Sequence, residues 1–178
     1  MKIEIKNRYT GSVLFSIETD SWKLAVEAAV KAGAELRGAY LEGADLGEAN
    51  LRGADLREAN LREVDLSQDQ LIQFRDDIWA VLSSSPKEVD GLISALQNGK
   101  VDGSTYEGDC ACLVGTIANT AHVEYDALPI LKANSNRLAE VFFMLIKKGD
   151  TPKKSKWAKM ALGWIEEWKK NMEEAFGK

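Results

Sequence analysis

The spacing of apolar positions changes along the chain, and each change predicts a different element. Lys2 to Arg8 and Ser12 to Thr19 alternate apolar with polar residues, the period of a half-buried strand. Thr10-Gly11 between them suits a tight hairpin turn. Asp20 or Ser21 then caps a helix with Leu24, Ala25, Ala28 and Ala29 on one face, and Gly33 supplies its left-handed stop. From Ala34 the period becomes five. Leucine recurs at Leu36, Leu41, Leu46, Leu51, Leu56, Leu61 and Leu66, each preceded two residues earlier by Ala34, Ala39, Ala44, Ala49, Ala54, Ala59 or Val64. Five matches neither the helical nor the strand period. The chain must therefore turn a corner every five residues, with the leucine and the small residue inside.

After the repeats the helical period takes over. Ser67-Gln68-Asp69-Gln70 reads as a capping box opening a helix through Leu71, Phe74, Ile78 and Leu82. Ser85-Pro86-Lys87-Glu88 reads as a second box, with a helix stopping at Gly99. Asp109 is expected to cap a short helix through Asn119, and Asn134 to Asn136 to lead into one ending at Gly149. Thr151-Pro152 is expected to cap a last helix striped by Trp157, Ala161, Trp164, Trp168 and Met172. The expectation is an α+β chain: a hairpin and helix over residues 1–33, the repeats over 34–68 and an α-helical domain of about five helices over 69–178.

Residues 34–68 resemble the pentapeptide-repeat family, whose pattern A(D/N)LXX they follow in seven consecutive units covering 35 of 178 residues. The resemblance implies a right-handed quadrilateral β-helix with about four units per coil, so seven units fill less than two coils. A solenoid that short is nearly all unpaired edge and needs caps; the N-terminal hairpin and helix are suited to be one. The whole order of elements, with the phrases NRYTGSVLFS (7–16) and YEGDCACLVGTIAN (106–119), is also similar to small pentapeptide-repeat proteins encoded by phages and prophages.

Composition narrows the classes. The longest apolar run, Val141 to Ile146, is six residues, against the roughly 20 a membrane helix requires. The start of the chain lacks the apolar stretch of a secretory signal, and Cys110 and Cys112 are too close for an extracellular disulfide framework. A cytoplasmic protein of a bacterial host cell is expected, with no membrane partner. Formal net charge is −5, distributed as +1 over residues 1–33, −4 over 34–68, −5 over 69–150 and +3 over 151–178. That balance argues against direct nucleic-acid binding. Lys153, Lys154, Lys156 and Lys159 nevertheless form a basic knot where a helix dipole disfavours cations.

Cys110, Cys112 and His122 are the most enzyme-like residues, since a helix N-terminus lowers a thiol pKa and a histidine could act as its base. The competing reading packs one cysteine as a small hydrophobe beside Leu113 and Ile117. A CxC with one histidine ten residues on lacks a ligand for structural zinc, the loop Asp102, Ser104, Glu107, Asp109 lacks calcium-loop spacing, and no phosphate-binding glycine motif is present. No metal, cofactor or catalytic residue is therefore assigned.

The favoured reading is a non-enzymatic interaction protein: a stoichiometric inhibitor of a host protein such as a defence (anti-CRISPR-like) effector, with a homodimer left open. The anchors expected are Tyr106, Trp157 or Trp168 with Lys156 and Glu107, on the helical domain and its seam with the repeats. A structural or virion-associated module is a further class, and two more alternatives stay open. One is an enzyme using Cys110 or Cys112 with His122. The other is a DNA mimic, although two coils at about 4.8 Å each span only about three base pairs and Arg52, Arg57 and Arg62 interrupt the acidic stripe.

Overall fold

The computed structural model describes residues 1–61, 63–134 and 137–177; the expectations placed on Arg62 and Asn136 lie outside these. Strands β1 (Lys2–Asn7) and β2 (Val13–Glu18) form an antiparallel hairpin with Ile5 opposite Phe15 and a register shift at Lys6. The Asn7 carboxamide accepts the N–H groups of Tyr9 and Thr10, and Gly11 takes φ +72°, which closes the turn. Helix α1 (Trp22–Lys31) is capped by the Ser21 hydroxyl, and Gly33 follows in the left-handed region. Its buried face is Ala25, Val26 and Ala29, not the face expected: Leu24 is 51% exposed and Val26 takes its place. Helix α1 packs against both strands of the hairpin, and Val26 belongs to the same buried cluster as Ile5 of β1.

The five-residue period is the period of a turn. The N–H of Ala39, Ala44, Ala49, Ala54, Ala59 and Val64 each donates to the carbonyl of the leucine three residues before, at 2.9–3.5 Å. The residue just before each of these donors has positive φ: Gly38, Gly43 and Gly53, but also Glu48, Glu58 and Glu63 at +60°, +59° and +56°. Turns of this kind require a left-handed third residue, which costs a side-chain-bearing residue about 1–2 kcal/mol. The leucines from Leu36 to Leu61 are buried and Leu66 is half-buried; the small residues from Ala39 to Val64 are buried. The chain returns beside itself after twenty residues, with parallel bridges from Tyr40 to Asn60 and from Asp45 to Asp65. Strand β3 (Ala39–Tyr40) pairs antiparallel with β1, giving a sheet of order β2-β1-β3 that joins the hairpin to the first repeats.

Helix α2 (Gln68–Ser84) starts with the expected capping box, Ser67 and Gln70 exchanging both hydrogen bonds. Ser85 does not open a second one. Its side chain makes no cap bond, and Pro86–Glu88 form a single 3-10 turn before α3 (Val89–Gln97). Helix α4 (Leu113–Ala121) begins at Cys112, not at Asp109, because residues 102–111 turn back to pair Val101 with Ala111. Helix α5 (Leu138–Phe143) is short: the N–H groups of Leu145 and Ile146 bond three residues back, so the chain leaves the helix well before Gly149. Helix α6 (Lys156–Phe176) is capped by Ser155, while Thr151 accepts the N–H groups of Lys154 and Ser155 in a preceding turn.

Phe142, fully buried, is the hub of the aromatic packing: its ring lies 5.5 Å from Phe74, 4.9 Å from Trp164 and 5.8 Å from Trp157. The indole N–H of Trp79 donates to the Trp164 carbonyl at 2.9 Å, which fixes α6 on α2. Buried side chains from Ile5 through the repeat leucines to Trp168 form one connected cluster, so repeats and helices share a core.

Candidate binding seam

The joint between repeats and helices is organised by one buried amide. Gln70 projects from the first turn of α2 into the tract, where its Nε2 donates to the carbonyls of Leu46 (3.0 Å) and Ala49 (2.8 Å). Its Oε1 accepts the N–H groups of Glu48 (2.9 Å) and Ser67 (2.8 Å). All the hydrogen-bonding capacity of a glutamine amide is used. Above this joint lies a groove of about 390 Å³, with Glu48, Asn50 and Arg52 on the repeat side and Asp69 and Gln73 on α2. Ala49, Leu51, Phe74 and Leu138 supply its apolar lining. The side chains of Glu48, Asn50, Arg52, Asp69 and Gln73 are exposed. Reading the repeats alone misses this groove; the capping-box glutamine was its one sequence signal.

A second feature is the loop from Asp102 to Ala111, pressed between α4 and α5. Two glycines admit it. A Cβ on Gly103 would meet the Phe143 carbonyl oxygen at 2.1 Å, and one on Gly115 the Tyr106 carbonyl oxygen at 2.2 Å. The Tyr106 hydroxyl donates to the carboxylate of Glu140, which is buried and also accepts the Asn134 N–H at 2.8 Å. Tyr106 stacks on Tyr125 with ring centroids 5.5 Å apart. Burial, with the bond to Glu140 next, raises the pKa of this phenol. Tyr106 is thus half-buried and internally bonded, while Glu107 is exposed at the loop tip. Asp77 of α2 accepts the Ala139 N–H at 2.8 Å at the start of α5, a cap in trans that sequence spacing does not reveal.

The other expected anchors are placed differently. Trp157 and Trp168 are 7% and 5% exposed and belong to the core; the Trp168 indole donates to Ser83 at 3.3 Å. Neither presents an aromatic anchor at the surface, because α6 turns its tryptophan stripe toward α2 and Phe142. Lys156 is exposed, with its ammonium on the Val64 carbonyl at 3.2 Å and over the Trp157 ring at 4.4 Å.

Cys112 is buried at the start of α4 and its side chain makes no cap bond. Burial, the largest cause, pushes its pKa up to about 12, opposite to the activated thiol considered from sequence. His122 is exposed and forms the left-handed C-cap of the same helix. Nine helical residues, about 13 Å of axis, separate it from Cys112, so it is not the base for that thiol. Cys112 therefore takes the packing role, beside buried Leu113 and Ile117. Cys110 is half-buried. Among the described residues no group of three His, Cys, Asp or Glu side chains forms a metal-holding set, and no helix is long and apolar enough to cross a membrane.

The raised Cys112 pKa sets a pH dependence. A thiol held protonated by the fold contributes stability that is full below the unfolded value of about 8.5 and is lost as pH climbs toward the folded value. The melting temperature should fall above about pH 9, and less steeply in Cys112→Ala. At pH 8, thiol labelling read by mass should modify Cys110 alone; rapid double labelling of the native protein would contradict the buried placement.

The model of the family described as pentapeptide repeats matches residues 32–68, in eight copies. The tract is a run of pentapeptide repeats. The match begins before the first unit legible from the leucines and counts one copy more than the seven read there. No curated protein and no solved structure matches the chain. The seam groove therefore lies between a pentapeptide-repeat tract and helices to which that family model does not extend.

Proposed function

We propose that this pentapeptide-repeat protein acts by binding rather than by catalysis, as a stoichiometric inhibitor of a host protein, of the kind phages and prophages encode against defence effectors. In this reading the tract is a short right-handed four-sided β-helix, closed by the hairpin and α1 at one end and by the helices at the other. The observation that carries the reading is the seam: a groove bordered by both halves of the molecule and fixed from below by Gln70 and the shared core. A surface held rigid before contact loses less entropy on association. Arg52 at its rim is exposed, and among the described residues no carboxylate pairs with it; arginine is among the residues enriched at interface hot spots.

The arginines also weaken the DNA-mimic alternative. Arg57 bonds Asp55 at 2.8 Å and Arg37 bonds Glu58 at 2.9 Å, so acidic side chains of the tract are neutralised on its own surface.

The test is affinity capture from bacterial lysate with the full-length protein, followed by mass spectrometry and a stoichiometry measurement on the reconstituted pair. One host protein in a 1:1 complex is expected, with binding at least about tenfold weaker for Arg52→Glu at unchanged melting temperature. A captured partner indifferent to Arg52→Glu would remove the seam from the reading. Catalytic turnover abolished by Cys110→Ser would replace the reading with the enzyme.

A further inference from the structure

The sequence concentrates charge in one short stretch: residues 147–159 carry +5, while residues 34–146 carry −10. The fold arranges five of the six lysines of this stretch, all but Lys148, around two neighbouring grooves of about 390 and 730 Å³ that share Lys154, Ser155 and Lys156 as a common wall. One groove reaches the tract at Ala59 and Leu61 and includes Lys147; the other follows the first turns of α6 and includes Lys153 and Lys159. Lys156 is partly accounted for by its contacts with Val64 and Trp157. Among the described residues, the ammonium groups of Lys153, Lys154 and Lys159 have no partner.

Three carboxylates also line these grooves. Asp150 accepts the Lys147 N–H at 3.0 Å, and Glu63 and Glu166 each line only one groove, whereas Lys154 and Lys156 line both. The lysines repel one another, and among the described residues no carboxylate is in ion-pair contact with Lys153, Lys154 or Lys159.

We propose that this lysine face binds the phosphate backbone of a nucleic acid. The residue types select the ligand. Lysine presents a compact point charge without the planar fork of arginine, and Trp157 between the grooves is buried. Among the described residues the face thus lacks the exposed aromatic and arginine anchors that carry protein interfaces and the aromatic platforms that stack single-stranded bases. Unpaired ammonium groups along continuous grooves suit a row of phosphates, bound by charge and independently of sequence. The net charge that argued against nucleic acid is an average over two unlike regions. The acidic remainder of the chain repels the polyanion elsewhere and so orients it on this face.

Fluorescence anisotropy of a labelled DNA duplex of about 20 base pairs with the full-length protein tests this. Saturable binding is expected at about 50 mM salt, weakening about 20- to 50-fold by 150 mM as three to four phosphates exchange their counterions for lysines. The double variant Lys154→Glu with Lys159→Glu should bind at least about tenfold more weakly. Lys31→Glu with Lys87→Glu, which changes net charge equally at exposed lysines outside both grooves, should stay within about twofold of the native protein. Lys159→Glu also places a carboxylate in the first turn of α6, where the helix dipole favours it, so the groove variant should fold normally. No saturable binding at low salt, equal losses in the two double variants, or competition by polyglutamate as effective as unlabelled DNA would each overturn the proposal, the last in favour of an acidic protein surface.

Discussion

Phe142→Ala is expected to cost about 3–5 kcal/mol, the range for a large aromatic removed from a packed core. The ring is fully buried and touches aromatic side chains from α2 and α6 as well as its neighbour Phe143. The walls are bulky rings held on three helices, and they cannot collapse into the space left. For a chain of this length the melting temperature should drop by about 6–20 °C. Because repeats and helices share one core, far-UV circular dichroism of the whole chain and tryptophan fluorescence, which reads Trp22 of α1 together with the tryptophans of α2 and α6, should report the loss in a single transition. A shift under about 2 °C would mean that Phe142 is not the hub described above.

Gln70→Leu should be the most damaging polar-to-apolar change. It removes both partners offered to the carbonyls of Leu46 and Ala49 and the acceptor for the N–H groups of Glu48 and Ser67. Each buried group left without a partner costs about 1–3 kcal/mol; with water from the neighbouring groove reaching some of them, a total of about 3 kcal/mol is expected. Gln70→Glu separates hydrogen bonding from packing. Its carboxylate cannot donate and would face two carbonyl oxygens, so the fold favours its protonated form and raises its pKa. The loss relative to the native protein, measured by denaturant unfolding at each pH, should therefore be smaller at pH 4 than at pH 7. Equal losses at both pH values would show that the amide N–H groups of Gln70 are not essential to the joint.

The lysine face shows how far charge can be read from sequence. The knot at residues 153–159 is visible there, and so is its conflict with the helix dipole. Its extension to Lys147 and its closure against Ala59 and Leu61 are not, because they depend on where α6 docks on the repeats. The tryptophans illustrate the converse. A stripe of Trp157, Trp164 and Trp168 defines one face of a helix, but the stripe alone does not say whether a neighbour or solvent meets it. Packing on α2 and Phe142 buried that face, and with it two of the expected anchors.

What the sequence determined by itself was local and periodic. The five-residue spacing fixed which residues of the repeats point inward, since only a turn every fifth residue places each leucine and each small residue on the same side. The hairpin, the Ser67 cap and the helical period after it were likewise set by neighbours a few residues apart. The tertiary structure decided whatever depended on distant chain. It put Val26 rather than Leu24 inside, moved the start of α4 from Asp109 to Cys112 by pairing Val101 with Ala111, and ended α5 early. It also set Gln70 as the joint of the seam. Local propensity there is worth a few tenths of a kcal/mol per residue, whereas burying one large side chain or satisfying one buried amide is worth several times more, so long-range packing prevails wherever the two disagree.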